Sequence, residues 1–202
     1  MIILVVVVIG SFMAYRKAKA LESQQQLPSG YGNQGFTPVE RQLDTDNVNL
    51  TMTSLRINDI VSYFGTDYIV DGRLDFWEDG YTWVTYMLVD GDEVKWLSAE
   101  EDDRLEVTLW EEVDDLVLHD APEYIEYRGM NFRMTERGSA RVTQKGRTKN
   151  KQGLNVEYYE YEAQGDEWLL SVERYAGSYE VSFGKQIRPE ALEILPGDQV
   201  EY

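Results

Sequence analysis

The sequence predicts an all-β protein: two tandem, similar antiparallel β units, bent sheets or half-barrels packed together, behind an N-terminal transmembrane helix and a linker. Three observations predict it. The chain opens on an uncharged apolar run, its body consists of short alternating runs broken by glycine-containing turns, and those runs recur in the same order a second time.

Ile2 to Tyr15 is a stretch of fourteen residues without a charge, followed at once by Arg16, Lys17 and Lys19. As a helix it would rise about 21 Å, short of the roughly 30 Å hydrocarbon core, but lysine and arginine stems snorkel and a bilayer thins around a short span. A secretory signal would carry its positive charge ahead of the apolar run, whereas here the charge follows it. Ala18-Lys19-Ala20 does imitate a cleavage site, so a cleaved signal stays open beside the anchor, as does a buried core segment. On the anchor reading, residues 1–20 span the cell membrane once, and the cationic cluster keeps the C-terminal body on the cytoplasmic side.

Residues 21–54 are rich in Gln, Gly, Ser, Pro and Asn and lack apolar periodicity, which predicts a flexible linker. All 37 acidic residues but only 16 of the 19 basic ones lie beyond position 20, a balance of −21 for everything after the anchor. That charge argues against nucleic acid as a partner, because phosphate binding needs a basic footprint. With no cysteine there is no disulfide framework or thiolate metal site, and a single histidine, His119, excludes a multi-histidine zinc site.

From Leu55 the texture becomes that of antiparallel strands. Ile60–Phe64 meets Gly65-Thr66-Asp67 and then Tyr68–Val70; Asp71-Gly72 reads as a turn or a bulge. Leu74–Trp77 runs to the hairpin signal Asp79-Gly80, where glycine supplies positive φ. Tyr81–Val89, Val94–Ser98, Leu105–Trp110 and a short strand at Leu116–Leu118 complete the first unit, 55–120. The second unit, 121–195, repeats it and is followed by a tail, 196–202. Val61–Tyr68 matches Ile125–Phe132 position by position in character, Gly91-Asp92-Glu93 through Glu100 matches Gly165-Asp166-Glu167 through Glu173 with one residue dropped, and Leu105–Leu109 matches Tyr179–Phe183. Each unit has one apolar face and two open edges, so pairing the units would bury the faces and protect the edges.

These residues also carry a resemblance. Leu55–Val61 (LRINDIV), Val70-Asp71-Gly72, Trp83–Leu88 (WVTYML), Lys95–Asp102 (KWLSAEED) and Tyr127–Phe132 (YRGMNF) resemble the bacterial domain of unknown function 4178 family. The resemblance implies an N-terminal hydrophobic helix, a polar linker and this domain. It brings no catalytic residues, and its indirect implication is an accessory role at the membrane, near membrane-stress and polyamine-synthase-like proteins.

Candidate chemistry is sparse. The carboxylate runs Glu100–Asp103 and Glu111–Asp115 lack the spacing of a calcium loop and read as solvated strand ends. His119, followed by Asp120, reads as an exposed connector residue and not a base, and no nucleophile elbow or phosphate loop is present. No catalytic residue, metal ligand or cofactor is expected. The one local anomaly is Arg141, Lys145, Arg147, Lys149 and Lys151, five cations without an acid among them, expected at the tip of a long hairpin. They are the candidate contact for an anionic headgroup or an acidic partner. The 25 aromatic residues, Phe76-Trp77 and Tyr158-Tyr159-Glu160-Tyr161 among them, are expected to pack between facing sheets.

The functional expectation is a non-enzymatic, membrane-tethered interaction or scaffold module at the cytoplasmic face, with a protein partner. The alternative is a small-ligand or carbohydrate-binding domain that uses the groove between the two units.

Overall fold

The computed structural model describes residues 50–149, 155–165 and 167–197. Eleven strands are formed: β1 (Ile60–Tyr63), β2 (Thr66–Glu78), β3 (Tyr81–Asp90), β4 (Glu93–Glu101), β5 (Leu105–Glu112), β6 (Tyr124–Tyr127), β7 (Met130–Gly146), β8 (Asn155–Ala163), β9 (Trp168–Tyr175), β10 (Ser178–Ile187) and β11 (Leu192–Leu195). They join in the order β11-β1-β2-β3-β4-β5-β10-β9-β8-β7-β6, and β2 pairs again with β7. That last pairing closes β2-β3-β4-β5-β10-β9-β8-β7 into an eight-stranded antiparallel barrel. The hairpin strands β1 and β6, with β11 beside β1, extend from its wall.

The expected architecture is corrected in two respects. Among the described residues no helix is long and apolar enough to cross a membrane, and the one helical piece is a 3-10 turn at Pro189–Ala191. Residues 1–20, where the transmembrane helix is expected, and 21–49 of the linker lie outside the described residues. The two units are also not a pair of sheets that seal each other's apolar faces. They join edge to edge, β5 on β10 and β2 on β7, so one barrel uses up four of their open edges and no edge remains in its wall. Smaller differences follow. Leu116–Leu118 is irregular, part of the connection between the halves, and Asp71-Gly72 is a bulge inside one continuous strand.

The duplication is visible in backbone detail. Phe64 and Gly65 take φ of 48° and 82°; Arg128 and Gly129, 64 positions later, take 49° and 75°. Both pairs make the tight turn whose twist suits a hairpin. The bulge in β2 falls between Val70 and Gly72, and the bulge in β7 falls between Met134 and Glu136, at the same spacing of 64. Each bulge inserts one residue and so moves the following side chains to the opposite face. Before its bulge, β2 turns Tyr68 and Val70 outward; after it, Leu74 and Phe76 turn into the barrel.

The apolar faces are therefore on the outside of the barrel and are covered by the flanking segments, β11 of the second unit over the first half among them. In the first half, Val84, Tyr86, Leu88, Leu97, Ala99 and Val107 pack under Met52 and Leu55 of the preceding segment, Val61 of β1 and Leu192 of β11. In the second, Tyr161, Leu170, Val172, Val181 and Phe183 pack under Val113 of the connection and Ile125 and Tyr127 of β6. Asp59, fully buried, ties the first cover together: its carboxylate accepts the Arg56 N–H at 2.6 Å and the Gly197 N–H at 3.0 Å.

Both closing seams demand small residues. At the β2–β7 seam Gly72 is paired with Gly146, and a Cβ on Gly72 would lie 1.7 Å from the Arg147 carbonyl oxygen. At the β5–β10 seam Gly184 is paired with Trp110, and a Cβ there would lie 2.3 Å from the Leu109 carbonyl and 2.7 Å from the Trp110 ring. Gly72→Ala is expected to destabilise the fold by about 3 kcal/mol, since the neighbour is backbone and cannot move aside. Urea denaturation measures the loss. Hydrogen exchange should quicken at the β2–β7 amides before it quickens at β3–β4.

Candidate functional site

Two features of the barrel concentrate polar and aromatic groups: a groove at the β2–β7 seam and the barrel interior. The groove, about 640 Å³, takes residues from both halves. Its aromatic wall is Phe76, Trp77 and Trp83, and its hydroxyls are Thr53, Thr82 and Thr143. Phe76 and Trp83 stack with centroids 4.9 Å apart and planes 2° from parallel. Trp77 is 47% exposed and has the Arg141 guanidinium, its cross-strand neighbour, 5.7 Å from its ring centre.

The charges in the groove balance: Arg73 and Arg141 face Asp75 and Glu101. Arg73 is held rigidly. It donates to Asp75 Oδ1 from Nε at 2.8 Å and from Nη2 at 2.5 Å, to the Leu55 carbonyl at 2.8 Å and to the Thr53 carbonyl at 3.3 Å. Burial works against its charge, but the hydrogen bond to Asp75 and the charges of Tyr86 and Asp75 together outweigh it and raise the pKa. The side chain thus clips the covering segment to the seam and presents a fixed edge to the groove.

Inside the barrel, a cavity of about 60 Å³ is bordered by residues of seven strands, among them Leu74, Trp83, Trp96, Trp110, Glu160 and Glu173. Its polar groups pair across neighbouring strands. The Thr85 and Ser98 hydroxyls are 3.0 Å apart, and Trp110 Nε1 donates to Ser98 Oγ at 3.0 Å. In the other half Ser171, the counterpart of Ser98, donates to Glu160 Oε1 at 2.7 Å. Glu160 therefore stands where the first half has the hydroxyl of Thr85. Burial pushes its carboxyl up to about 8; the Ser171 hydrogen bond opposes this, and the charges of Glu173 and Glu136 add to it. Nearby, Glu78 accepts hydrogen bonds from Tyr158 Oη and from the Ser139 N–H, and Trp83 meets Tyr158 edge to face at 5.7 Å.

Of the five cations singled out in the sequence, the four that are described are held differently. Arg141 and Lys145 lie on β7, and only Arg141 reaches the groove. Arg147 bridges Asp71 at 2.8 Å beside the bulge, and Lys149 bridges Glu112 at 2.6 Å. Lys151 lies outside the described residues. His119 is exposed in the connection between the halves. Among the described residues no three histidine or carboxylate side chains are arranged to hold a metal ion. Arg73, Asp75, Thr143 and Glu160 were not foreseen from the sequence. The strand alternation could have placed Arg73 and Asp75 opposite Phe76, but the barrel closure that brings Thr143 and Arg141 beside them has no local signature.

Residues 56–189 match the family model described as Domain of unknown function (DUF4178), a span that contains β1 through β10 and both seams. The chain belongs to this family. Uncharacterised proteins of Mycobacterium tuberculosis, strains H37Rv and CDC 1551, and of Mycobacterium bovis are 35% identical to it over 148 residues, which cover 70% of this chain and 71% of theirs. No solved structure matches it. Strand β11 lies beyond the span matched by the family model, so the barrel and its two hairpin strands are what this DUF4178 member has in common with that model.

Because the folded state raises the Glu160 pKa to about 8, it holds a proton that the unfolded chain releases near the ordinary carboxylate value of about 4.3. Stability from this group is complete below that lower value and is lost as pH rises toward 8. Glu160→Gln keeps an acceptor for Ser171 and has no charge to bury. The expected result is a flatter decline between pH 5 and 8 than the native chain shows, read from urea midpoints at each pH.

Proposed function

We propose that the barrel is a non-enzymatic binding module that holds a small, neutral, polyhydroxylated ligand, a saccharide by chemistry, in the groove where the two halves close. The observation that carries this reading is the makeup of that groove: an accessible tryptophan face beside two cations, two carboxylates and threonine hydroxyls that sum to no net charge. In a chain that carries −18, a cation or anion site would be expected to depart from neutrality. A sugar hydroxyl both donates and accepts, so it suits alternating guanidinium, carboxylate and hydroxyl groups, and the apolar face of a sugar ring suits an indole. Arg73 and Asp75 are already fixed by each other and by the covering segment, so little side-chain order remains to be lost on binding.

Titration of the full chain with neutral mono- and oligosaccharides, followed by tryptophan fluorescence, tests this. Binding is expected in the micromolar to millimolar range, with at least a tenfold loss of affinity in Trp77→Ala and little dependence on salt. Equal affinity in Trp77→Ala, or binding confined to charged sugar phosphates and strongly salt-dependent, would refute the saccharide reading.

A further inference from the structure

A second surface, remote in kind from the groove, is carried by the strands that extend from the barrel wall. On the solvent side of β11-β1-β2, Leu195, Ile60 and Ile69 lie directly across from one another in register, and Leu195 and Ile69 are 43% and 51% exposed. The next row on the same side is Glu193, Ser62 and Asp67, with the Ser62 hydroxyl donating to Asp67. Beyond it, at the turn, Phe64 is 87% exposed.

The duplication supplies an internal control for what the fold itself requires here. Sixty-four positions later the equivalent residues are Tyr124 for Ile60, Arg133 for Ile69 and Arg128 for Phe64, in the same hairpin with the same turn geometry. Arg128 folds its guanidinium over the Phe183 ring at 4.6 Å, and Arg133 reaches toward Glu123. The turn and the second strand of the hairpin are therefore built equally well with arginines, while its first strand keeps an exposed aromatic, Tyr124 at 56%. Two large apolar groups of the first hairpin, Ile69 and Phe64, at a real cost in exposed surface, answer to something other than folding.

We propose that this face docks a short cationic amphipathic segment of a partner protein, with apolar residues that seat on Ile60–Ile69–Leu195 and on Phe64 and with Lys or Arg between them for Asp67 and Glu193. Ile60 on β1 and Phe64 in the turn after it are four residues, and so at most about 14 Å of chain, apart. A helix spans that distance in about two turns and an extended segment in four residues, so both anchors fall within a peptide of twelve. The charge of the two carboxylates and of a chain at −18 selects a basic partner and disfavours a second copy of this chain or an anionic lipid surface.

Selection of a random twelve-residue peptide library on the full chain tests the assignment and requires no candidate partner. Enriched peptides are expected to carry two apolar positions bracketing Lys or Arg. Synthesised binders should lose at least tenfold in affinity on Ile69→Ser with Leu195→Ser, and similarly on Asp67→Lys with Glu193→Lys. They should be unaffected by Tyr124→Ser on the equivalent face and by Trp77→Ala in the groove, which separates this face from the saccharide site. The proposal fails if nothing enriches, if the enriched peptides are acidic, or if they bind the variants equally well. It also fails if sedimentation shows a dimer of the native chain that Ile69→Ser with Leu195→Ser dissolves, because a second copy would then own the face.

Discussion

Closure at two seams is the constraint on which the rest of this structure depends. A four-stranded half with a free edge on each side cannot persist alone in water without exposing unpaired amides, and the halves satisfy those edges by pairing β2 with β7 and β5 with β10. Equivalent strands meet at each seam, so the internal duplication becomes an approximate twofold axis of the barrel. Glycines sit where the backbones or a tryptophan come closest. Closure also brings residues from distant parts of the chain, Arg73 and Arg141 among them, to one groove.

The bulges decide which side of the wall is greasy. A strand that kept its register through Asp71 would carry the alternation of Tyr68 and Val70 straight on and would turn Arg73 and Asp75 to the opposite side. The extra residue reverses this. Apolar residues are turned outward at the start of each long strand, under the covering segments, and the middle of the strand lines the interior. The result is an inverted arrangement in which two apolar clusters flank the barrel, while its interior mixes tryptophans with serine, threonine and glutamate. Polar groups there are matched to each other across strands, which is what makes such an interior tolerable. Glu160 departs from the twofold pattern, and burial opposes its ionisation.

Much of this was legible from the residues. Alternation, Asp-Gly and Gly-Asp turns and the repeat signalled strands and hairpins, and the matched pairs Ser98 with Ser171 and Val107 with Val181 do occupy corresponding places. Nonlocal contacts were not legible. Apolar faces were expected to meet each other, because nothing in a strand states whether a flank or a sister sheet will cover it. Five cations close in sequence were expected to cluster in space, whereas Arg147 and Lys149 are taken up by Asp71 and Glu112 from the other half.

Composition and periodicity by themselves determined an all-β, duplicated, strongly acidic body without cysteine chemistry, because strand alternation and turn geometry are encoded within a few neighbouring residues. Only the tertiary structure decided that two half-units become one barrel, that its interior mixes tryptophans with polar groups, and that a groove with no net charge opens at the seam. Those outcomes depend on which edges pair across 64 to 80 residues and on one inserted residue per long strand, and the energy of such pairings resides in the assembled sheet rather than in any local stretch of chain.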